Sequence, residues 1–412
     1  RRDDFVPLFV TRLEERRVLS TITVTGTGDD VVNGDGEVTL REAITAANTD
    51  TSVDGSTAGS GNDEIVFDAS LAGQSITLGG SQLPTITGAN GDLTINGLGA
   101  RFLSIDGNNL SRILEVSVGA TVEVSGLTLT GGNSGNASGG AILSAGTLTI
   151  TASQIENSTA ETAGGGGGIF SNNAMLTVID TTISGNTSNG TGAGGGIYNN
   201  GGTLTVVNST ISGNQVTGGD FGGGIFNDGT ATITNSTIAN NSSGAPGGGI
   251  RNHIGDTLTL QNTILSGNTV GGSPNDLSNE GSGTITANFS LIENTGGFTL
   301  AGGSGDNITG TDPSLGPLQD NGGPTDTHAL LASSAAVDAG SNVGVAATDQ
   351  RGFVRIADGD GNSTATVDIG AFEFQPASFT SFATLATENG AADFTVGDFN
   401  NDGIVDLASA YN

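Results

Sequence analysis

The sequence predicts an all-β fold: a right-handed, single-stranded parallel β-helix with three strands per coil and a short N-terminal capping helix. Three observations predict it. First, a glycine-rich phrase recurs as Gly-Gly-Ala-Ile at Ile142 and Gly-Gly-Gly-Ile at Ile169, Ile197, Ile225 and Ile250, at intervals of 27, 28, 28 and 25 residues. Second, a phrase of the Thr-Ile-Ser-Gly-Asn type keeps step with it at Ile155, Ile183, Ile211, Ile238 and Ile264, at intervals of 28, 28, 27 and 26. Third, a short alternating run lies between them in each unit: Thr147–Ile150, Leu176–Val178, Thr203–Val206, Ala231–Ile233 and Thr257–Leu260. A fixed period of this size marks stacked structural units. Alternation over so few residues marks strands rather than helices.

One coil cannot bury its inward side chains alone. Stacked coils bury each against the same position of the next, about 4.8 Å away, so the recurring Ile residues form interior columns. The Gly runs fit sharp corners and close backbone approach. The Asn closing each Ile-Ser-Gly-Asn phrase fits a corner, because Asn tolerates the left-handed region. Asn186, Asn214 and Asn241 are also in phase, 28 and 27 residues apart, and fit a stacked amide ladder.

Taken in order, residues 1–20 read as a charged, flexible segment, and Thr21–Thr25 as a strand. Thr39-Leu40-Arg41-Glu42 is a capping-box pattern opening a helix to about Asn48, with Leu40, Ile44 and Ala47 on one face. This helix is expected to lid the first coil. Short strands between Glu64 and Leu129 supply the early coils, and residues 131–270 the regular ones. Residues 277–376 read as late coils and a C-terminal cap, with Asp312-Pro313, Gly316-Pro317 and Gly323-Pro324 marking turns. A different pattern occupies 377–412.

Composition narrows the partners. The 412 residues carry 42 acids against 11 arginines, with no Lys and a net charge of −31, which disfavours nucleic acid and anionic lipid. There is no Cys, so no disulfide framework. No segment has the length of a transmembrane helix. The chain begins without Met, which reads as a cut or processed N-terminus whose missing piece carries an export signal.

Four segments together resemble a bacterial surface-protein group. They are Leu40-Arg41-Glu42-Ala43-Ile44; the repeated Gly-Gly-Gly-Ile-Tyr/Phe-Asn with Ser-Thr-Ile-Ser-Gly-Asn; the run from Asp312 through Asn321-Gly322-Gly323-Pro324-Thr325 to Leu330; and Thr348–Gly352 with Asp368–Glu373. Over about residues 21–376 the chain resembles the β-helix region of choice-of-anchor Q exoproteins, which is similar to polymorphic outer-membrane and pectin-lyase-like solenoids. Leu13–Ser20 resembles a short N-terminal motif of planctomycete secreted proteins. Residues 393–410 are similar to the start of an FG-GAP (VCBS) repeat. The resemblance implies an exported bacterial protein held at the cell surface or outside the cell.

Two loops carry metal-ligand patterns. Asp398, Asn400, Asp402 and Asp406 lie at offsets 0, 2, 4 and 8, with the Ile404 carbonyl available and Gly403 allowing the turn. This suits Ca²⁺, which takes six to eight hard oxygens, and the FG-GAP resemblance implies the same ligands; an Asx-rich turn without metal is the alternative. Asn33, Asp35 and Glu42 occupy positions three, five and twelve of an EF-hand-like loop whose first position, Val31, has no carboxylate; helix capping is favoured there. Asp358-Gly359-Asp360-Gly361-Asn362 reads as a solvated turn.

A sugar-cleaving enzyme needs a base beside acids, or two facing carboxylates. The central coils offer Glu156, Glu161, Asp180, Asp220, Asp228 and Asp256, with Arg251 as their one cation, and no shared phase is evident among Glu156, Asp180 and Asp228. The two histidines, His253 and His328, read as turn or capping residues. The expected function is therefore a non-catalytic scaffold, adhesin or surface-layer component that binds Ca²⁺, contacts surface glycans or proteins, or self-associates. The alternative is a polysaccharide lyase or glycoside hydrolase. An acid cluster with an Arg on one solvent face favours the enzyme; a uniform Ser/Thr/Asn face favours the scaffold.

Overall fold

The computed structural model describes residues 19–31, 34–161 and 164–375, together with the backbone of strands Phe394–Gly397 and Asp406–Ser409. The chain folds as a parallel stacked β-solenoid. The strand that begins at each repeated Ile builds a first ladder, in which Leu114, Ile142, Ile169, Ile197, Ile225, Ile250 and Leu277 pair in register. Ile169, Ile197 and Ile225 are fully buried, one above another. The alternating runs form a second ladder from Ser20–Val24 to Thr284–Asn288, with one inward column running Ile22, Ile65, Ile95, Val124, Ile150, Val178, Val206, Ile233, Leu260, Ala287. A third ladder stacks Ile76, Ile105, Leu129, Ile155, Ile183, Ile211, Ile238, Leu265 and Ile292. Burying one such aliphatic side chain contributes about 1.5–3 kcal/mol, so the three columns form one continuous core.

Three details differ from the sequence reading. The central coils carry a fourth, two-residue strand besides the three expected, as at Thr159–Ala160, Thr187–Ser188 and Gln215–Val216. It faces the glycine run: a Cβ on Gly195 would lie 2.4 Å from the Gly223 carbonyl oxygen and 2.6 Å from that of Gln215, so no larger residue fits. At the late coil the column residue is Leu265, paired with Ile238, while Ile264 pairs with Thr237. Ile264 instead packs with Leu291, Leu330, Ala336, Ile369 and Phe372. Finally, the corner before each ladder Asn is turned by the preceding residue. Gly185, Gly213 and Asn240 adopt positive φ, while Asn186, Asn214 and Asn241 point inward and are fully buried.

These amides form the ladder the spacing predicts. Asn186 Nδ2 donates to Asn214 Oδ1 (3.0 Å), Asn214 Nδ2 to Asn241 Oδ1 (3.0 Å), and Asn241 Nδ2 to Asn268 Oδ1 (2.9 Å). Each Oδ1 also accepts the backbone N–H of the preceding member, as Asn214 does from Asn186 and Asn241 from Asn214. The series ends on Asp276, whose carboxylate accepts from Asn268 Nδ2 at 2.8 Å. A second series, Asn199–Asn227–Asn252–Asn279, runs parallel to it.

Both ends of the core are covered. Helix Leu40–Thr49 packs Leu40, Ala43, Ile44 and Ala47 onto the first coils. Its capping box is complete: the Thr39 side chain accepts from Glu42 N–H, and Glu42 Oε2 accepts from Thr39 N–H at 2.9 Å. Thr39→Ala is expected to lower the midpoint for unfolding of the N-terminal coils by an amount equivalent to about 1–2 kcal/mol, read by urea-dependent circular dichroism. At the other end Phe298 and Leu300 pack on the core, where Ala301 and Gly305 donate to the Ile285 and Ala287 carbonyls.

Residues 312–375 form a flap along the outer side of the third ladder, rather than the end lid expected for part of 277–376. Thr182 Oγ1 donates to the Asp326 carbonyl, Thr210 Oγ1 to Gln350 Oε1 (2.6 Å), and Ala371 N–H to Thr237 Oγ1 (3.1 Å). Arg101, on an early coil, pairs with Asp320 and Asp326, both at 2.9 Å. Beyond the flap, Phe394–Gly397 and Asp406–Ser409 pair antiparallel, with Gly397 opposite Asp406.

Candidate functional site

The flap covers the outer side of the third ladder, and a groove of about 660 Å³ follows the corner between the first and second ladders. Gly146, Ala174, Gly202 and Gly229 line it coil by coil, with Thr203 and Thr230 beside them. These small residues keep the floor of the groove low, while Val118, Asn173 and Met175 stand along it with Val118 and Met175 exposed. Asp256 also lines it.

Around Asp256 the outer faces of three consecutive coils bring charges together. Asp228, His253 and Glu280 each stand three positions after a buried column residue, namely Ile225, Ile250 and Leu277. Register therefore stacks them. His253 Nδ1 lies 3.5 Å from Asp228 Oδ1 and 3.7 Å from Asp256 Oδ2, and its Nε2 lies 3.6 Å from Glu280 Oε2. None of these separations is a good hydrogen bond. Asp256 Oδ2 is buried and accepts no hydrogen bond. Burial, then the nearby Asp228 charge, pushes the Asp256 carboxyl above its ordinary range.

Arg251 is the cation of this face, and it is committed. Its guanidinium pairs with Glu280 at 2.8 Å, donates to Ser278 Oγ at 2.6 Å and stacks 4.6 Å over the Phe221 ring. Beside it Phe170, Tyr198 and Phe226 form an edge-to-face column, with ring centroids 5.0 and 4.9 Å apart, that leads to His253 at 5.7 Å. Glycines pack over this column: a Cβ on Gly165 would lie 2.3 Å from the Tyr198 ring.

The sequence reading named Asp228, Asp256, Arg251 and His253 singly and did not join them. The signal was present in the phase shared by Asp228 and His253. It becomes complete only when Leu277 is recognised as the next column residue, because that places Glu280 in line.

Other sequence candidates fall elsewhere. Glu42 is buried, and its carboxylate serves the capping box. Asp35 is exposed and accepts from Glu37 N–H in its own turn, while Asn33 lies outside the described residues. The side chains of Asp398, Asn400, Asp402, Ile404 and Asp406 also lie outside the described residues. Asp358 and Asp360 approach Asp338; Asp360 N–H donates to Asp338 Oδ2 at 2.6 Å, and Asp360 accepts from Asn362 N–H within its turn.

His328 is a clip between flap and solenoid. Its Nδ1 lies 2.7 Å from the Gly316 carbonyl, which accepts only from N–H, so Nε2 accepts from Ser212 Oγ at 2.8 Å. Both side chains are buried. Burial lowers the His328 pKa, which favours the neutral ring in this Ser–His pair.

Under the flap lies a buried charge network. Arg351 Nη2 pairs with Asp349 at 2.7 Å and donates to the Glu373 carbonyl at 2.6 Å. Arg355 is fully buried, 3.9 Å from Glu373, and burial lowers its pKa. Two arginines face Asp180, Asp349, Asp368 and Glu373. Burial, with repulsion from Asp338, pushes the Asp368 carboxyl to about 7, and burial, with repulsion from Asp368, pushes that of Glu373 to about 9.

No described helix is long and apolar enough to cross a membrane. Compared with protein-family models, curated proteins and solved structures, the chain matches none.

Proposed function

We propose that this chain is a non-catalytic β-helix scaffold, exported to the surface or exterior of a bacterium, where it acts as a rigid spacer or adhesin. The observation that supports this most is the continuous stack of aligned core columns, kept through a register shift between Asn200 and Thr203, with both ends of its core covered. Covered ends suit a unit of set length better than one that elongates end to end, since exposed strand edges are pairing templates. The sequence resemblance to choice-of-anchor Q exoproteins supports export. The acidic surface supports solubility and cation dependence. Ca²⁺ at Asp398, Asn400, Asp402, Ile404 and Asp406 belongs to the same reading, supported by the ligand spacing and by the strand pair that brackets this loop.

The acid cluster with Arg251 favours a second reading, a polysaccharide lyase or glycoside hydrolase using the groove. Two facts weigh against it. Arg251 is buried in a salt bridge and is no free base. Ligand oxygens of Asp228 and Asp256 lie within 4.8 Å of each other, which excludes the about 6.5–9.5 Å separation of an inverting hydrolase and leaves only the retaining geometry of about 5–5.5 Å. Incubation with anionic and neutral polysaccharides, with and without Ca²⁺, is expected to release no reducing ends and no unsaturated products, while retention on one or more of them persists. Turnover that is lost in Asp256→Asn would establish the enzyme instead.

A further inference from the structure

We propose that Asp228, His253 and Asp256 form a binding site for a first-row divalent transition ion of the Zn²⁺ type, opening onto the groove. The three residues offer ligand atoms that lie within 4.8 Å of one another. His253 Nδ1 faces both carboxylates at 3.5 and 3.7 Å. Those separations are too long for good hydrogen bonds but suit ligands around one ion. Two atoms each about 2.1 Å from a tetrahedral ion lie about 3.4 Å apart. The oxygen of Asp256 that faces the imidazole is the one buried without a hydrogen bond. A cation at this point supplies the partner it lacks.

The outer shell fits as well. A metal-bound imidazole usually directs its other ring nitrogen at a carboxylate, which fixes the tautomer and raises ligand basicity. Here His253 Nε2 faces Glu280 Oε2, and Glu280 is held by Arg251. Arg251 in turn is fixed by Ser278 and the Phe221 ring. A nitrogen ligand with two carboxylates selects a transition ion over Ca²⁺, which needs six to eight oxygens. Asp256 lines the groove, so a remaining coordination position faces solvent or a groove-bound ligand.

The test is calorimetric titration of Zn²⁺ into the full, metal-stripped chain, run in excess Ca²⁺ so that oxygen-only loops are saturated. One Zn²⁺ per chain is expected. His253→Asn and Asp256→Asn should each abolish it. Glu280→Gln should weaken it about 10- to 100-fold, as outer-shell changes do. Thermal melts of each variant without metal check that the fold is kept. A variant-free readout is the visible spectrum of the Co²⁺-loaded parent, in which intense bands of a low-coordinate ion are expected. No saturable Zn²⁺ binding, binding unchanged in His253→Asn, loss of binding in excess Ca²⁺, or a six-coordinate Co²⁺ spectrum would each overturn the proposal.

Discussion

Asn214→Leu is expected to destabilise the central coils by about 4 kcal/mol, although the new side chain is of similar size and apolar. The reason is the number of groups it strands. Asn214 Oδ1 accepts from both the backbone N–H and the Nδ2 of Asn186. Asn214 Nδ2 donates to the Ile183 carbonyl at 2.9 Å. The substitution therefore leaves two donors and one acceptor unsatisfied in a site that water does not reach, at about 1–3 kcal/mol each. Hydrogen exchange is the appropriate measurement, because stacked coils open locally and a single unfolding midpoint averages over them. Protection should fall first at Asn186 and its neighbours. Replacing Asn186, Asn214 and Asn241 together by Leu should cost less than the sum of the single changes, since donors and acceptors leave in pairs. Asn200 provides the control. Its Nδ2 reaches Asn172 on the outer surface, and Asn200→Ala should cost under about 1 kcal/mol, because water replaces the lost bond.

The flap is expected to loosen as pH rises from about 5 to 9, while the solenoid keeps its strands. Asp368 at about 7 and Glu373 at about 9 are raised carboxyls in the folded chain. Unfolded, such groups titrate near 4. The folded flap therefore holds protons that the open flap releases, and stability falls with pH across the interval between those values. Glu373 accepts from the backbone N–H groups of Asp368 (2.9 Å) and Ala357 (3.2 Å). Asp368 accepts from Asp338 N–H (2.7 Å). Ionising both leaves a charge excess beside Arg355 that burial cannot screen. Limited proteolysis within 312–375 should be at least tenfold faster at pH 9 than at pH 6. Glu373→Gln, which cannot ionise, should flatten much of that dependence and leave Asp368 to account for the remainder near neutrality. A flap equally resistant at both pH values would show that these carboxyls do not titrate on opening.

The coil architecture was legible because a column residue must recur at one phase, and five Ile phrases kept that phase. The capping box was legible from Thr39 and Glu42 alone, since its chemistry is local. The amide ladder at Asn186, Asn214 and Asn241 was also readable, because an interior polar residue needs an identical partner one coil on. Its extension to Asp276 was not. Asp276 lies only eight residues after Asn268, so the period that revealed the ladder could not reveal its end. Ile264 was assigned to the wrong phase because Ile-Leu offers two candidates, and only the flap's need for an outward apolar contact separates them. The charge cluster was missed for a related reason. Its members are outward residues of different types, and nothing requires outward positions to repeat.

The inner series of amides donates its amide-to-amide hydrogen bonds one way only, from Asn186 toward Asn268, and halts on a carboxylate that only accepts. Lineages can therefore lengthen this molecule by copying a whole middle turn, since each copy receives from the one before and gives to the one after. The closing turn cannot be dropped in the same way, because its loss would strand the backbone N–H of Asn268 and the one Nδ2 hydrogen that Asp276 receives. The body behaves as a ruler with interchangeable graduations and one obligatory final mark.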